Sequence, residues 1–244
     1  VKIRGLKKQL PFGGILVMML GLAACIGCGS DSYFPSSTSA DSLNLPAHEP
    51  TAPRGCELPV GRSTVMVEGM AVDLLMPADR YVGDLLVLPP WNGGREEWCI
   101  HARFCTKALK RGFRIIMPDM GKSIYAQAVY PETRADWQSQ KTITWVKERL
   151  VPDLRNNYCL LKKGGQNYVL GASAGARGAI LLAEEMPDLF VAVAALSGDY
   201  NPADMTQDNI YRGFLGEFDV FPQRWQTAEN VLIGSTQIRA AVYL

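Results

Sequence analysis

The stretch from Asn167 to Gly178, NYVLGASAGARG, constrains this chain's fold more than any other. An apolar run enters it, small residues surround Ser173, and the helix-forming segment AGARGAILLAEEM leaves it. A strand that turns sharply into a helix at a serine has no room for bulk two positions to either side. Gly171 and Gly175 stand at those two positions. A helix starting at Ala174 aims its N-terminal amides and its dipole at the serine, where they favour a developing oxyanion. The pattern G-x-S-x-G is a weak signal alone; the strand before it and the helix after it give it weight. The bland alternative is a glycine-rich turn with an incidental serine.

The flanking sequence repeats the same alternation. Ser63–Val67 and Met70–Met76 read as a hairpin across Glu68-Gly69, and Asp84–Leu88 is a compact apolar run ending in Pro89-Pro90. A helix is predicted from about Glu96 to Arg111, with Ile100, Phe104 and Leu109 facing the core. Phe113–Met117 is a further buried strand, and Thr142–Leu154 a helix with Ile143, Val146, Leu150 and Val151 at turn spacing. The strand Tyr168–Leu170, the helix Ala174–Glu185 and the strand Phe190–Leu196 come next. Unbroken apolar strands alternating with helices predict an α/β fold, a mostly parallel sheet covered on both faces. No period of 20–50 residues recurs, which excludes a repeat architecture.

The first 55 residues read differently. Lys2, Arg4, Lys7 and Lys8 precede an apolar run from Phe12 to Ala24, too short for a spanning helix of ~20 residues. A basic start, a short apolar middle and a small-residue end make an export signal. Its end, Leu22-Ala23-Ala24-Cys25, resembles the lipobox of bacterial lipoproteins, which implies cleavage before Cys25 and a lipid on its thiol. Cys28 is a second, weaker position, and a plain signal peptide is the bland alternative. The expected organisation is a signal over 1–24, a Ser/Pro/Asp-rich tether over 25–55 that contains His48, and a folded domain over 56–244. Lipidation would hold the protein on the cell envelope. Export also permits disulfides among Cys28, Cys56, Cys99, Cys105 and Cys159, with connectivity left open. Cys99, His101 and Cys105 are too few for a closed zinc site, so no metal is expected.

With 25 Lys+Arg against 24 Asp+Glu, the chain lacks the basic excess that nucleic acid demands. With 48% hydrophobic residues it can build a sizeable core in one domain.

From Ser63 to Leu244 the sequence resembles the α/β-hydrolase superfamily and, within it, the esterases of the esterase D kind. The segments LLVLPPWNGG, RIIMPDMGKSIY, GASAG and AALSGDYNP carry the resemblance. It implies a three-layer α/β-hydrolase fold and a serine hydrolase that cleaves carboxylic esters through an acyl-enzyme on Ser173, with no cofactor. It also implies that the strand Asp84–Leu88 leads into an oxyanion loop. Where relatives carry His-Gly-Gly, this chain has Pro89-Pro90-Trp91-Asn92-Gly93-Gly94. Pro90 has no N–H, so the donors expected are the amides of Trp91 and Ala174.

In this fold the acid and the histidine follow the nucleophile. Yet the two histidines, His48 and His101, both precede Ser173. Three explanations compete: a non-catalytic relative, His101 as the base, or a chain that stops before its last catalytic loops. We expect the third, because Gln237–Leu244 reads as the opening of a buried strand, and domains rarely end inside one. Asp199, after the strand Phe190–Leu196, is an outside candidate for the acid, with capping of the Asp199–Pro202 turn as its bland role. Tyr125 is a candidate ligand contact at a strand's carboxyl end. Tyr211, Phe214, Phe218, Phe221 and Trp225 either line an acyl pocket or pack as a satellite core. The expected substrate is a small-molecule or polymer ester of open identity. An acyltransferase, as in the related mycolyltransferases, and a surface-anchored binding module are the alternatives.

Overall fold

The structure, a computed structural model, describes residues 57–233 and 237–244. Strand β1 (Gly61–Val67) and strand β2 (Met70–Met76) form the expected hairpin, in register from Gly61↔Met76 to Val67↔Met70. Glu68 and Gly69 both take positive φ, 46° and 78°, as a tight two-residue turn between twisted strands requires. β3 (Gly83–Leu88), β4 (Phe113–Pro118), β5 (Asn167–Ala172), β6 (Ala192–Leu196) and β7 (Ala241–Tyr243) complete a seven-stranded sheet in the order β1-β2-β4-β3-β5-β6-β7. β1 and β2 run antiparallel at one side; β4, β3, β5, β6 and β7 are parallel neighbours. The central strands are mostly apolar because helices cover the sheet, and Leu86, Ile116 and Val169 are fully buried. The polar exceptions, Asp84, Arg114 and Asn167, sit near the strands' starts, where Arg114 pairs with Asp84. This is the mostly parallel sheet of the α/β-hydrolase fold.

The predicted helix over 96–111 is two helices. α1 (Glu97–Ala102) and α2 (Phe104–Lys110) meet at Arg103, whose left-handed φ of 49° breaks the helical phase. A Cys99–Cys105 disulfide spans the break, and both thiols are thereby taken from any metal. Ile100 is therefore 64% exposed rather than in the core, and Trp98 points inward in its place; Phe104 is buried as expected. Cys159 is disulfide-bonded as well. Farther on, Thr142 caps α3 (Ile143–Trp145) by accepting the Trp145 N–H. That helix runs through a π-helical turn (Val146–Leu150) into α4 (Val151–Tyr158), with Ile143, Val146, Leu150 and Val151 all fully buried.

Helix α5 (Ala174–Glu185) packs on β3, β5 and β6 and is buried from Ala174 through Glu184. Ile180, Leu181 and Leu182 each contribute about 1.5–3 kcal/mol by leaving water. Helix α6 (Asn209–Leu215) is capped by Asp208, whose carboxylate accepts from the Ile210 and Tyr211 amides. β7 corrects another expectation. It pairs with β6, but Ala241 and Val242 are exposed, because nothing among the described residues covers this sheet edge.

Glu184 is an unusual member of the buried helix. Burial, reinforced by the Glu185 charge, pushes its carboxyl up to about 7, from 4.5. A carboxyl raised in the folded state holds a proton that the unfolded chain has already lost, so stability falls as pH rises from 4.5 to 7. Glu184→Gln removes that cost. Thermal unfolding is expected to show the variant about 2–4 °C more stable at about pH 8 and unchanged at about pH 4.5, a screened gain of about 1 kcal/mol. Equal effects at both pH values would contradict this.

Candidate active site

Ser173 occupies the sharp corner between β5 and α5, at φ 52° and ψ −123°. A serine in this sparsely populated region stores about 1–3 kcal/mol of strain, which the surroundings must hold. They do so on both sides. The Ser173 amide donates to the Leu196 carbonyl of β6 at 2.9 Å, and the Ser173 carbonyl accepts from Ala176 at 2.9 Å, starting the helix. A Cβ on Gly171 would stand 2.0 Å from the Gly175 oxygen, and one on Gly175 would stand 2.3 Å from the Leu88 oxygen. No side chain fits at either place, as the sequence spacing predicts. The serine itself is exposed.

The parallel pairing of β3 with β5, Leu88↔Gly171, places the loop after β3 beside the corner. Pro89 is buried, and the loop is fixed by Asn92 N–H to Gly121 O at 2.8 Å and Gly93 N–H to Pro90 O at 3.0 Å. Among the described residues, the amides of Trp91 and Ala174 have no hydrogen-bond partner. Ala174 lies in the first turn of α5, where free amides and the dipole favour a negative charge. The Trp91 ring is half-buried, edge-on to Trp137 at 5.9 Å.

Asp199 follows β6 at the same edge of the sheet. Burial and the Asp208 charge push its carboxyl up, while Arg177 draws it down. Capping of the Asp199–Pro202 turn is not what it does: among the described residues its carboxylate takes no hydrogen bond. The turn is instead held by Val231 N–H to Tyr200 O and Asp204 N–H to Asn201 O. The carboxyl ends of β3, β5 and β6 thus carry Trp91, Ser173 with Ala174, and Asp199, the edge where open α/β sheets bind ligands. His101 belongs to α1, with its side chain beyond what the structure describes, and His48 and Cys25 lie outside the described residues.

Tyr125 is not a surface contact for ligand. It is fully buried and its hydroxyl donates to the Pro89 carbonyl at 2.9 Å. Three aromatic residues of the 211–225 segment pack as a second core: Tyr211, Phe214 and Trp225 are buried with Trp137, Ile124 and Ala126. Phe218 lies half-buried against them, and Phe221 stands outside the cluster.

One feature escaped sequence reasoning. Arg177, one turn into α5, is fully buried and pairs with Glu229: Nη1 donates to the Glu229 backbone carbonyl at 2.7 Å and Nη2 to its carboxylate at 2.6 Å. The same carboxylate accepts from the Tyr130 hydroxyl at 2.7 Å and the Gln127 amide. The signal in the residues is an arginine in a helix that is otherwise small and apolar as far as Ala183, but it does not name a partner 52 residues away.

The family described as "Putative esterase" matches residues 97–241, a span that includes Ser173, Ala174 and Asp199. No curated protein matches the chain. Among solved structures, the fluorophosphonate-binding serine hydrolase FphF of Staphylococcus aureus is similar, with TM-score 0.54 and 15% identity over 68% of this chain and 66% of that one. The S-formylglutathione hydrolase FrmB of the same organism gives 0.53 and 16% over 71% and 70%. Mycobacterium tuberculosis MPT51 (FbpC1) gives 0.54 and 20% over 75% and 73%. At such identities the likeness is one of fold, and the chain spans about two thirds of the length of FphF, 66%. The chain belongs to the esterase family and carries the α/β-hydrolase fold.

Proposed function

We propose that the protein is a carboxylic ester hydrolase that works through an acyl-enzyme on Ser173. The observation that carries this reading is an exposed, strained Ser173 between Gly171 and Gly175, beside the free amides of Ala174 and Trp91. Ser173 attacks the ester carbonyl and its proton passes to a general base, which returns it to the departing alkoxide and then takes one from the attacking water. The carbonyl oxygen becomes an oxyanion held by the two amides, and the alcohol leaves. Water then attacks the acyl-serine and releases the acid. Asp199 is the acid candidate at the same edge. The structural relatives named as serine hydrolases support the reading through their fold.

Small-molecule and polymer esters both suit a serine open to solvent. An acyltransferase would use the same acyl-serine and differ only in its acceptor. The second reading is a non-catalytic binding module, favoured by the absence of histidine between Ala174 and Leu244. We further propose that the protein is held at the cell envelope through a lipid on Cys25. The Cys99–Cys105 disulfide supports an oxidising compartment, while no helix among the described residues is long and apolar enough to cross a membrane.

The test is the early time course of p-nitrophenyl acetate hydrolysis by the complete gene product. An acyl-enzyme predicts a burst of p-nitrophenol close to one equivalent per protein, followed by slower turnover. No p-nitrophenol above the buffer rate would overturn the esterase reading in favour of the binding module.

A further inference from the structure

We propose that Tyr125 is a positioning residue for the oxyanion hole, its buried hydroxyl fixing the Pro89–Pro90 peptide, one torsion before the peptide from which Trp91 presents its N–H; this rests on the esterase reading above. The Tyr125 hydroxyl donates to the Pro89 carbonyl at 2.9 Å, with the side chain fully buried. On the other side of that peptide lies the elbow helix: a Cβ on Gly175 would come within 2.7 Å of the same Pro89 oxygen. The Pro89 carbonyl is therefore bracketed between Gly175 and Tyr125.

The next residues along the chain have little freedom. Pro90 has its φ fixed by its ring, so its ψ is the one soft torsion between the Pro89–Pro90 and Pro90–Trp91 peptides. The second peptide is held by the Pro90 carbonyl, which accepts from Gly93 N–H at 3.0 Å. A peptide's C=O and N–H share one plane, so the direction of the Trp91 N–H is set once both carbonyls are held. Donors fixed before the reaction need no reorganisation when charge develops, which is the source of their catalytic worth.

Tyr125 is itself held under constraint. Its φ is 56°, rare for an aromatic residue, and its amide donates to Ser123 Oγ at 2.9 Å. Its ring lies against α5 at Gly178, where an added Cβ would come within 2.5 Å of it. One residue thus touches both the loop that offers the first donor and the helix that offers the second. Satisfying a buried carbonyl could be done from many places; this arrangement also couples the two donors' supports.

Tyr125→Phe removes the hydroxyl and keeps the ring. In the complete gene product, kcat for p-nitrophenyl acetate is expected to fall about 10–50-fold with KM within about two-fold, below the roughly 10²–10³ of losing a donor outright. The Trp91 amide is expected to shift in the ¹⁵N–¹H spectrum and to exchange faster with solvent. A folded variant with lower thermal stability but unchanged kcat and an unchanged Trp91 amide would overturn the proposal. If wild type is inert while the Trp91 amide still responds, the esterase reading falls and catalytic positioning falls with it. If wild type is active and Tyr125→Phe behaves like it, the positioning role alone falls. Should Tyr125→Phe not fold, Ser123→Ala, which frees the Tyr125 amide, carries the same test. It is expected to lower kcat several-fold at constant KM, and an unchanged kcat would overturn the proposal.

Discussion

Ser173→Ala is expected to lower ester hydrolysis by the complete gene product about 10³–10⁶-fold while leaving its thermal stability within about 0.5 kcal/mol of wild type. The two halves of that expectation have separate causes. Ser173 is exposed and its side chain holds nothing together; the corner depends on its backbone bonds to Leu196 and Ala176. Alanine keeps those bonds and adds no bulk beside Gly171 or Gly175. The hydroxyl alone is lost, and with it the atom that would carry the acyl group. Residual catalysis from the Trp91 and Ala174 amides sets the floor. Steady-state rates and melting curves on the same samples check both halves. A drop in rate matched by a drop in melting temperature would show that Ser173 is structural.

Arg177→Met is expected to cost about 3–5 kcal/mol of stability, because it leaves the Glu229 carboxylate buried without its cation. Both side chains are fully sealed from solvent, so water cannot take over. Burial already pushes the Glu229 carboxyl up, against the opposing pull of Arg177, Tyr130 and the Gln127 amide. Without Arg177 it moves higher still and takes up a proton at accessible pH. A carboxyl raised in the folded state loses stability as pH rises, so the deficit of Arg177→Met is larger at about pH 8 than at about pH 5. Asp199 and Glu184, both drawn down by Arg177, add to the same trend. Arg177→Met combined with Glu229→Gln removes the orphaned charge and is expected to recover about half of the loss. Denaturant unfolding at the two pH values measures all of this. A single variant within about 1 kcal/mol of wild type at about pH 8, by the same principle, would contradict it.

The pair also says how the chain is assembled. It ties the elbow helix to the segment around Glu229 and, through Gln127 and Tyr130, to the loop that contains Tyr125. That loop holds the Pro89 carbonyl, one peptide before the Trp91 amide. Strain at Ser173 and alignment of the amides therefore rest on contacts made far along the chain.

These distances explain what could be read from the residues and what could not. The elbow was legible because its requirements are local: glycine at 171 and 175, a strand before, a helix after. The α/β alternation was legible for the same reason, since each apolar run declares its own period. The break at Arg103 was not, because the left-handed conformation falls on an arginine rather than on glycine or asparagine. An unbroken helical phase would put Ile100 in the core, and the break removes that phase. Exposure of β7 depends on what lies beside it, which its own apolar residues do not encode. The buried roles of Tyr125 and of the Arg177–Glu229 pair needed partners 36 and 52 residues away. Their residue types permitted a surface role equally well. Histidine is the opposite case, since its positions are plain in the sequence: both histidines precede Ser173, and the described backbone of His101 places it on α1, after the loop that carries Trp91.

The central claim is that Ser173 is an activated nucleophile. The most direct measurement is to react the complete gene product with a fluorophosphonate, digest it, and locate the adduct by mass spectrometry. The expected result is one phosphonylated site, Ser173, formed by the native protein and absent when it is denatured before the reagent is added. An unmodified Ser173 in folded protein, or an adduct on another residue such as the exposed Ser197, would contradict it.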